Sequence, residues 1–166
     1  MPTIKIAKES LEGPKRIPPG IYWVRFDGFN PQPTKEATRT GDLTSSINLL
    51  PDLKIVNNSD FHDRKPGKEW LNSNAGWVLR DFSHCFGVPL AGTAEAPELP
   101  GEFVPPDEPD PSKWRYQGPY IGRTGQVELT EVYGQDGKGP YINIKRYLCA
   151  IPGCKENHIQ DLTSRG

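Results

Sequence analysis

Gln126-Val127-Glu128-Leu129-Thr130-Glu131-Val132-Tyr133, then Gly134-Gln135-Asp136-Gly137-Lys138-Gly139-Pro140, then Tyr141-Ile142-Asn143-Ile144-Lys145-Arg146-Tyr147-Leu148, is the stretch whose reading decides the fold. Two runs rich in β-branched and aromatic residues flank a segment of glycine, aspartate and proline. That pattern predicts two antiparallel strands joined by a turn. Strict alternation along the second run places Tyr141, Asn143, Lys145 and Tyr147 on one face. Ile142 and Ile144 fall on the other.

Working outward, Ile21-Tyr22-Trp23-Val24-Arg25-Phe26-Asp27-Gly28-Phe29 predicts a first strand. Its alternation sends Tyr22, Val24 and Phe26 to the core and Trp23, Arg25 and Asp27 to the surface. Residues 30–42 read as a polar loop. Residues 43–57 hold two apolar stretches, and Pro51-Asp52 between them marks a bulge or break in a second strand. Residues 58–70 read as a charged loop. From about Asn74 to Phe86, Trp77, Val78, Phe82, Cys85 and Phe86 recur at helical spacing, with Gly87 as a stop, so Trp77 and Phe82 are expected in a helix core.

Residues 88–117 carry a proline-rich acidic stretch, read as an extended insertion loop. Residues 1–16 read as an N-terminal arm and 155–166 as a polar tail. The whole, 1–166, is expected to be one domain. The class is mainly β, a β-rich α+β arrangement. The element order fits a five-stranded Greek-key barrel of the OB type, with one helix before the C-terminal hairpin. A split sheet with a packed helix is the alternative.

Proline and glycine, 18 and 17 of 166 residues, favour turns over long helices. The net charge of −1 does not suggest a polyanion ligand, but the charge is uneven. Six acids and no base lie between Thr93 and Pro111. Setting those six aside leaves 20 Lys and Arg against 15 Asp and Glu, a balance of +5. A mild basic excess suits contact with phosphate and also occurs without it. Met1–Lys5 has no apolar core of a signal peptide, and no run approaches a membrane span. A soluble cytoplasmic protein is expected (host cytoplasm if viral). Three cysteines argue against a disulfide framework.

Three segments carry a resemblance: Pro19-Gly20-Ile21-Tyr22-Trp23-Val24-Arg25, Trp77-Val78-Leu79-Arg80-Asp81-Phe82-Ser83-His84-Cys85-Phe86-Gly87, and Tyr120-Ile121-Gly122-Arg123-Thr124-Gly125-Gln126-Val127-Glu128-Leu129 with Tyr141 to Leu148. In these, the chain resembles phage-encoded OB-fold single-stranded DNA-binding proteins. The resemblance implies sequence-tolerant binding of single strands in replication or recombination. The long acidic segment departs from that pattern. So does Asp161-Leu162-Thr163-Ser164-Arg165-Gly166, which lacks the acidic tail many such proteins use to recruit partners.

Single strands are held by cations along the backbone and by rings that stack on bases. Trp23 and Arg25 on the first strand supply both types, as do Tyr141, Lys145, Arg146 and Tyr147 on the last. Lys54 lies on the second strand. Lys35 and Arg39 follow the first strand, and Arg64, Lys65, Lys68 and Trp70 form a second basic segment. Arg123 sits in the turn Gly122-Arg123-Thr124-Gly125, where a guanidinium and backbone amides could meet phosphate. Each has a plainer reading as rim packing, a solvated loop charge or an edge-strand guard. Single-stranded DNA or RNA is the expected partner, with replication or recombination proteins and a second copy as further ones.

Other chemistries have weaker support. Cys149, Cys154 and His158 have zinc-like donor types, but the spacing is not that of a standard finger, so three unlinked thiols are expected. Asp60, His62 and Asp63 could hold Mg²⁺ in a nuclease, but nothing nearby completes such a site. Phosphate-binding loops, nucleophile elbows and dinucleotide fingerprints do not occur. No enzyme and no cofactor is expected. The competing reading is a protein-interaction or DNA-mimic module acting through the acidic segment.

Overall fold

A computed structural model of the chain describes residues 2–8, 16–67, 69–134 and 140–152. Its axis is a long strand, β1 (Gly20–Pro33), in which Tyr22, Val24 and Phe26 alternate into the core as expected. β2 (Ile47–Val56) pairs antiparallel along one side of β1, and β8 (Thr124–Val132) pairs antiparallel along the other. β3 (Leu71–Asn72) extends the sheet beyond β2, and β9 (Tyr141–Tyr147) extends it beyond β8. The five-stranded order is thus β3-β2-β1-β8-β9. The β8–β9 pairing is the expected hairpin. The chain is mainly β, and no ladder among the described residues closes the sheet into a barrel.

The edge strands nevertheless come near each other. Gly67, just ahead of β3, has φ +117°, a backbone state that disfavours side chains. A Cβ there would lie 2.3 Å from the Ile142 carbonyl oxygen on β9. Only a glycine permits this approach. Two residues later, Glu69 lies within electrostatic reach of Tyr147, also on β9. The segment entering β3 therefore rests on the far edge of the sheet.

α2 (Gly76–Cys85) covers the inner face, burying Phe82 and Cys85, with Phe86 buried just beyond. Contact with β8 is close, because a Cβ on Gly125 would stand 2.7 Å from the Cys85 sulfur. The core is unusually aromatic. Phe26 meets Phe29 at 4.7 Å, Phe82 meets Phe86 at 4.9 Å, and Tyr116 stacks on Tyr120 at 5.8 Å. Each buried ring contributes about 1.5–3 kcal/mol through lost contact with water. The two tyrosine hydroxyls are satisfied inside, Tyr116 donating to the Pro100 carbonyl and Tyr120 to Ser83.

Several expectations need correction. Residues 30–42 are not one loop, since β1 continues to Pro33 and a short helix, α1 (Lys35–Thr40), follows. Thr34 caps α1 by accepting from the Ala37 amide, and Gly41 ends it in a left-handed conformation. β2 runs unbroken through Pro51. The irregularity lies opposite, on β1, where the register shifts between Phe26 and Gly28.

The 88–117 segment is not a bare extended loop. It holds two small two-stranded sheets, β4 (Ala91–Gly92) with β5 (Pro97–Glu98), and β6 (Glu102–Val104) with β7 (Arg115–Gln117). Tyr116 is buried in the core and Phe103 packs against it. Trp77 projects outward at 67% exposed, because α2 buries the side carrying Phe82 and Cys85. No helix among the described residues is long and apolar enough to cross a membrane.

Candidate nucleic-acid interface

The register fixes which side chains share the outer face. Trp23 lies between Val56 on β2 and Gln126 on β8, and Arg25 lies between Lys54 and Thr124. On β9, Tyr141 pairs with Val132, Asn143 with Thr130, and Arg146 with Glu128. Residues directly opposite in an antiparallel ladder project to the same side. Trp23, Arg25, Lys54, Tyr141, Asn143 and Arg146 thus belong to one face spanning four strands.

Tyr147 does not. The β8–β9 register shifts between Glu128 and Leu129, and Lys145 is the extra residue on β9. The bulge breaks alternation, so Ile144 and Tyr147 both turn inward. Tyr147 is 5% exposed and meets the Phe82 ring at 5.4 Å. It is a core residue, and the expected single row of Tyr141, Asn143, Lys145 and Tyr147 is not formed. Lys145 is exposed at the bulge.

The cations of this face are matched by carboxylates. Arg25 donates to Asp27 through Nε at 2.8 Å, and Lys54 Nζ lies 3.1 Å from the other Asp27 oxygen. Asp63 stands 3.9 Å from Arg25. The hydrogen bond from Arg25 holds the Asp27 carboxyl below its usual range, against a desolvation penalty that pushes the other way. The same bond raises the Arg25 guanidinium further. Arg146 pairs with Glu128, and Lys65 lies 3.7 Å from Asp52. A phosphate reaching Arg25 or Lys54 must therefore compete with Asp27. Trp23 is half-buried, and Gln126 beside it is fully buried, which limits the ring surface open to a base.

The other candidates lie apart. Arg39 pairs with Glu36 on α1, beyond the far end of β1, where Lys35 is exposed. Arg64 lies over the Phe61 ring at 5.6 Å. Trp70 is 47% exposed, and Tyr141, on the shared face, is 50% exposed. Arg123 donates to the Pro119 carbonyl at 2.9 Å and to the Phe86 carbonyl at 3.5 Å, tying its turn to the end of α2. Lys68, Cys154 and His158 lie outside the described residues.

Cys149 is disulfide-bonded, so the three thiols are not all unlinked and its sulfur is no zinc thiolate. Cys85 is free and buried, and burial pushes its thiol far above the usual range. Asp63 faces Arg25 and His62, and no three His, Cys, Asp or Glu among the described residues are grouped to hold a metal ion.

The sequence pattern alone assigned no role to Asp27 or Glu128. Asp27 was visible two residues from Arg25 on the same face, and that spacing alone implies pairing. Glu128 was legible only once the β8–β9 register was known. No family model, curated protein or solved structure matches the chain.

Proposed function

We propose that the chain binds single-stranded nucleic acid, without sequence readout, across the outer face of β2, β1, β8 and β9. One observation carries this reading: Trp23, Arg25 and Lys54 are neighbours on paired strands, and the same face continues to Asn143, Tyr141 and Arg146. Rings beside cations on an extended surface are what a single strand requires, since every base has a face to stack and every nucleotide a phosphate. Stacking contributes roughly 1–3 kcal/mol per base, enough for affinity on a face with little net charge.

The OB-type framework belongs to the same proposal. Three strands in sequence, with a fourth returning by a long connection to lie beside the first, is the Greek-key arrangement. The helix precedes the last hairpin, and the Gly67 segment resting against β9 supports reading the sheet as a partly open five-stranded barrel. A role in phage-type replication or recombination rests on the sequence motifs alone.

The test is a titration with oligo-dT followed by tryptophan fluorescence across a salt series, beside duplex DNA of equal length. Quenching by oligo-dT is expected, with log affinity falling by about 0.7 per phosphate contact for each unit of log salt. Absence of quenching, or equal affinity for duplex, overturns the reading.

A further inference from the structure

The proposed nucleic-acid face leaves an apolar groove unused. Between α2 and the β4–β5 hairpin lies a cleft of about 680 Å³, walled by Trp77, Leu79, Leu90 and Leu99, with Arg80, which pairs with Asp81, also in its lining. A groove of this size holds several side chains. Outside that lining, the same hairpin carries two exposed carboxylates, Glu95 and Glu98, and Glu98 pairs with the lining residue Ala91 across the hairpin. Trp77, two-thirds exposed, is a large ring left in water on the wall of a cleft.

A second feature of the same chain has the opposite character. The segment Thr3-Ile4-Lys5-Ile6-Ala7-Lys8 contains two bases and no acid. Ile4 is 92% exposed and Ile6 66% exposed, and Lys5 and Lys8 are exposed too. Two bulky aliphatic side chains in water, flanked by lysines, complement an apolar groove whose hairpin carries acidic residues beside it. We propose that the groove receives residues 3–8 of a second copy of this chain. Ile4 and Ile6 seat against Trp77 and the leucines, and Lys5 and Lys8 turn toward Glu95 and Glu98. Such a contact joins two different patches, so it links copies head to tail or by reciprocal exchange.

The experiment uses the full chain in three forms, checked for folding by circular dichroism. One carries Lys5→Glu with Lys8→Glu, one Glu95→Lys with Glu98→Lys, and one all four changes. Sedimentation across a concentration series measures self-association. A synthetic peptide of residues 3–8, added to the full chain, is read by its effect on Trp77 emission against a Trp77→Phe control. Each double variant is expected to weaken association at least about ten-fold, and the four-fold variant to restore most of it. The peptide is expected to shift Trp77 emission, and oligo-dT binding to persist in all forms. A monomer at every concentration overturns the proposal. So does association indifferent to both charge sets. A Trp77 response to oligo-dT instead of the peptide, or protection of Trp77 by residues 3–8 within a monomer, overturns it as well.

Discussion

Asp27 stands between Arg25 and Lys54, 2.8 Å from the one and 3.1 Å from the other, on the face assigned to nucleic acid. With its carboxyl held below the usual range, the pairing is complete at neutral pH and is lost only as pH falls through that lowered value. Asp27→Asn leaves both cations without their shared anion and removes one negative charge. Oligo-dT affinity is expected to rise about three- to ten-fold at low salt, read by fluorescence titration. Tyr147 gives a contrasting expectation. Its hydroxyl is buried with no hydrogen-bond partner among the described residues, and burial raises it well above the ordinary tyrosine value. Tyr147→Phe removes an unsatisfied group, so thermal unfolding should show a change between none and about 1 kcal/mol more stable, with oligo-dT binding unchanged. At this scale the alternation of Trp23 and Arg25 was legible because β1 is regular there, while Asp27 is the extra residue at the register shift and still pairs with Arg25. Tyr147 was misread because the bulge at Lys145 adds a residue, and no glycine or proline marks it in the sequence.

At the level of elements, the segment entering β3 approaches β9 without a ladder between the two strands. Glu69, in the segment entering β3, is pushed up to about 7 by burial. A carboxyl whose folded value exceeds its unfolded one holds its proton longer in the native state. Its contribution to stability is therefore fully present below the unfolded value and is lost as pH rises through about 7. Glu69→Gln removes that penalty. It should stabilise the protein by about 1–2 kcal/mol at pH 8, after allowance for screening of a partly solvated group, and by little at pH 4. Denaturant melts at the two pH values check this, and equal shifts at both would count against it. Nothing in Gly67 or Glu69 announced this packing, since a non-local contact leaves no local period. α1, by contrast, was readable in principle: Thr34 and Gly41 stand at capping distance around a helix-compatible run.

The whole molecule shows the same division between local and non-local information. β1, α2 and the β8–β9 hairpin were legible because each carries its own period or turn. The placement of β8 beside β1 was not, because that pairing spans about a hundred residues of intervening chain. The acidic segment looked like a loop because its prolines and acids dominate its composition. Phe103 and Tyr116 nevertheless anchor it to the core. Charge averaged over the chain also concealed the relevant pattern, which is local pairing of cations and carboxylates on one face. The central claim is that this face holds the single strand through Arg25 and Lys54. It is tested most directly by the double variant Arg25→Gln, Lys54→Gln, titrated with oligo-dT across a salt series after its folding is verified. Affinity should fall at least about ten-fold and the salt slope should flatten by about 1.4, the share of two phosphate contacts. An unchanged affinity with an unchanged slope would contradict it.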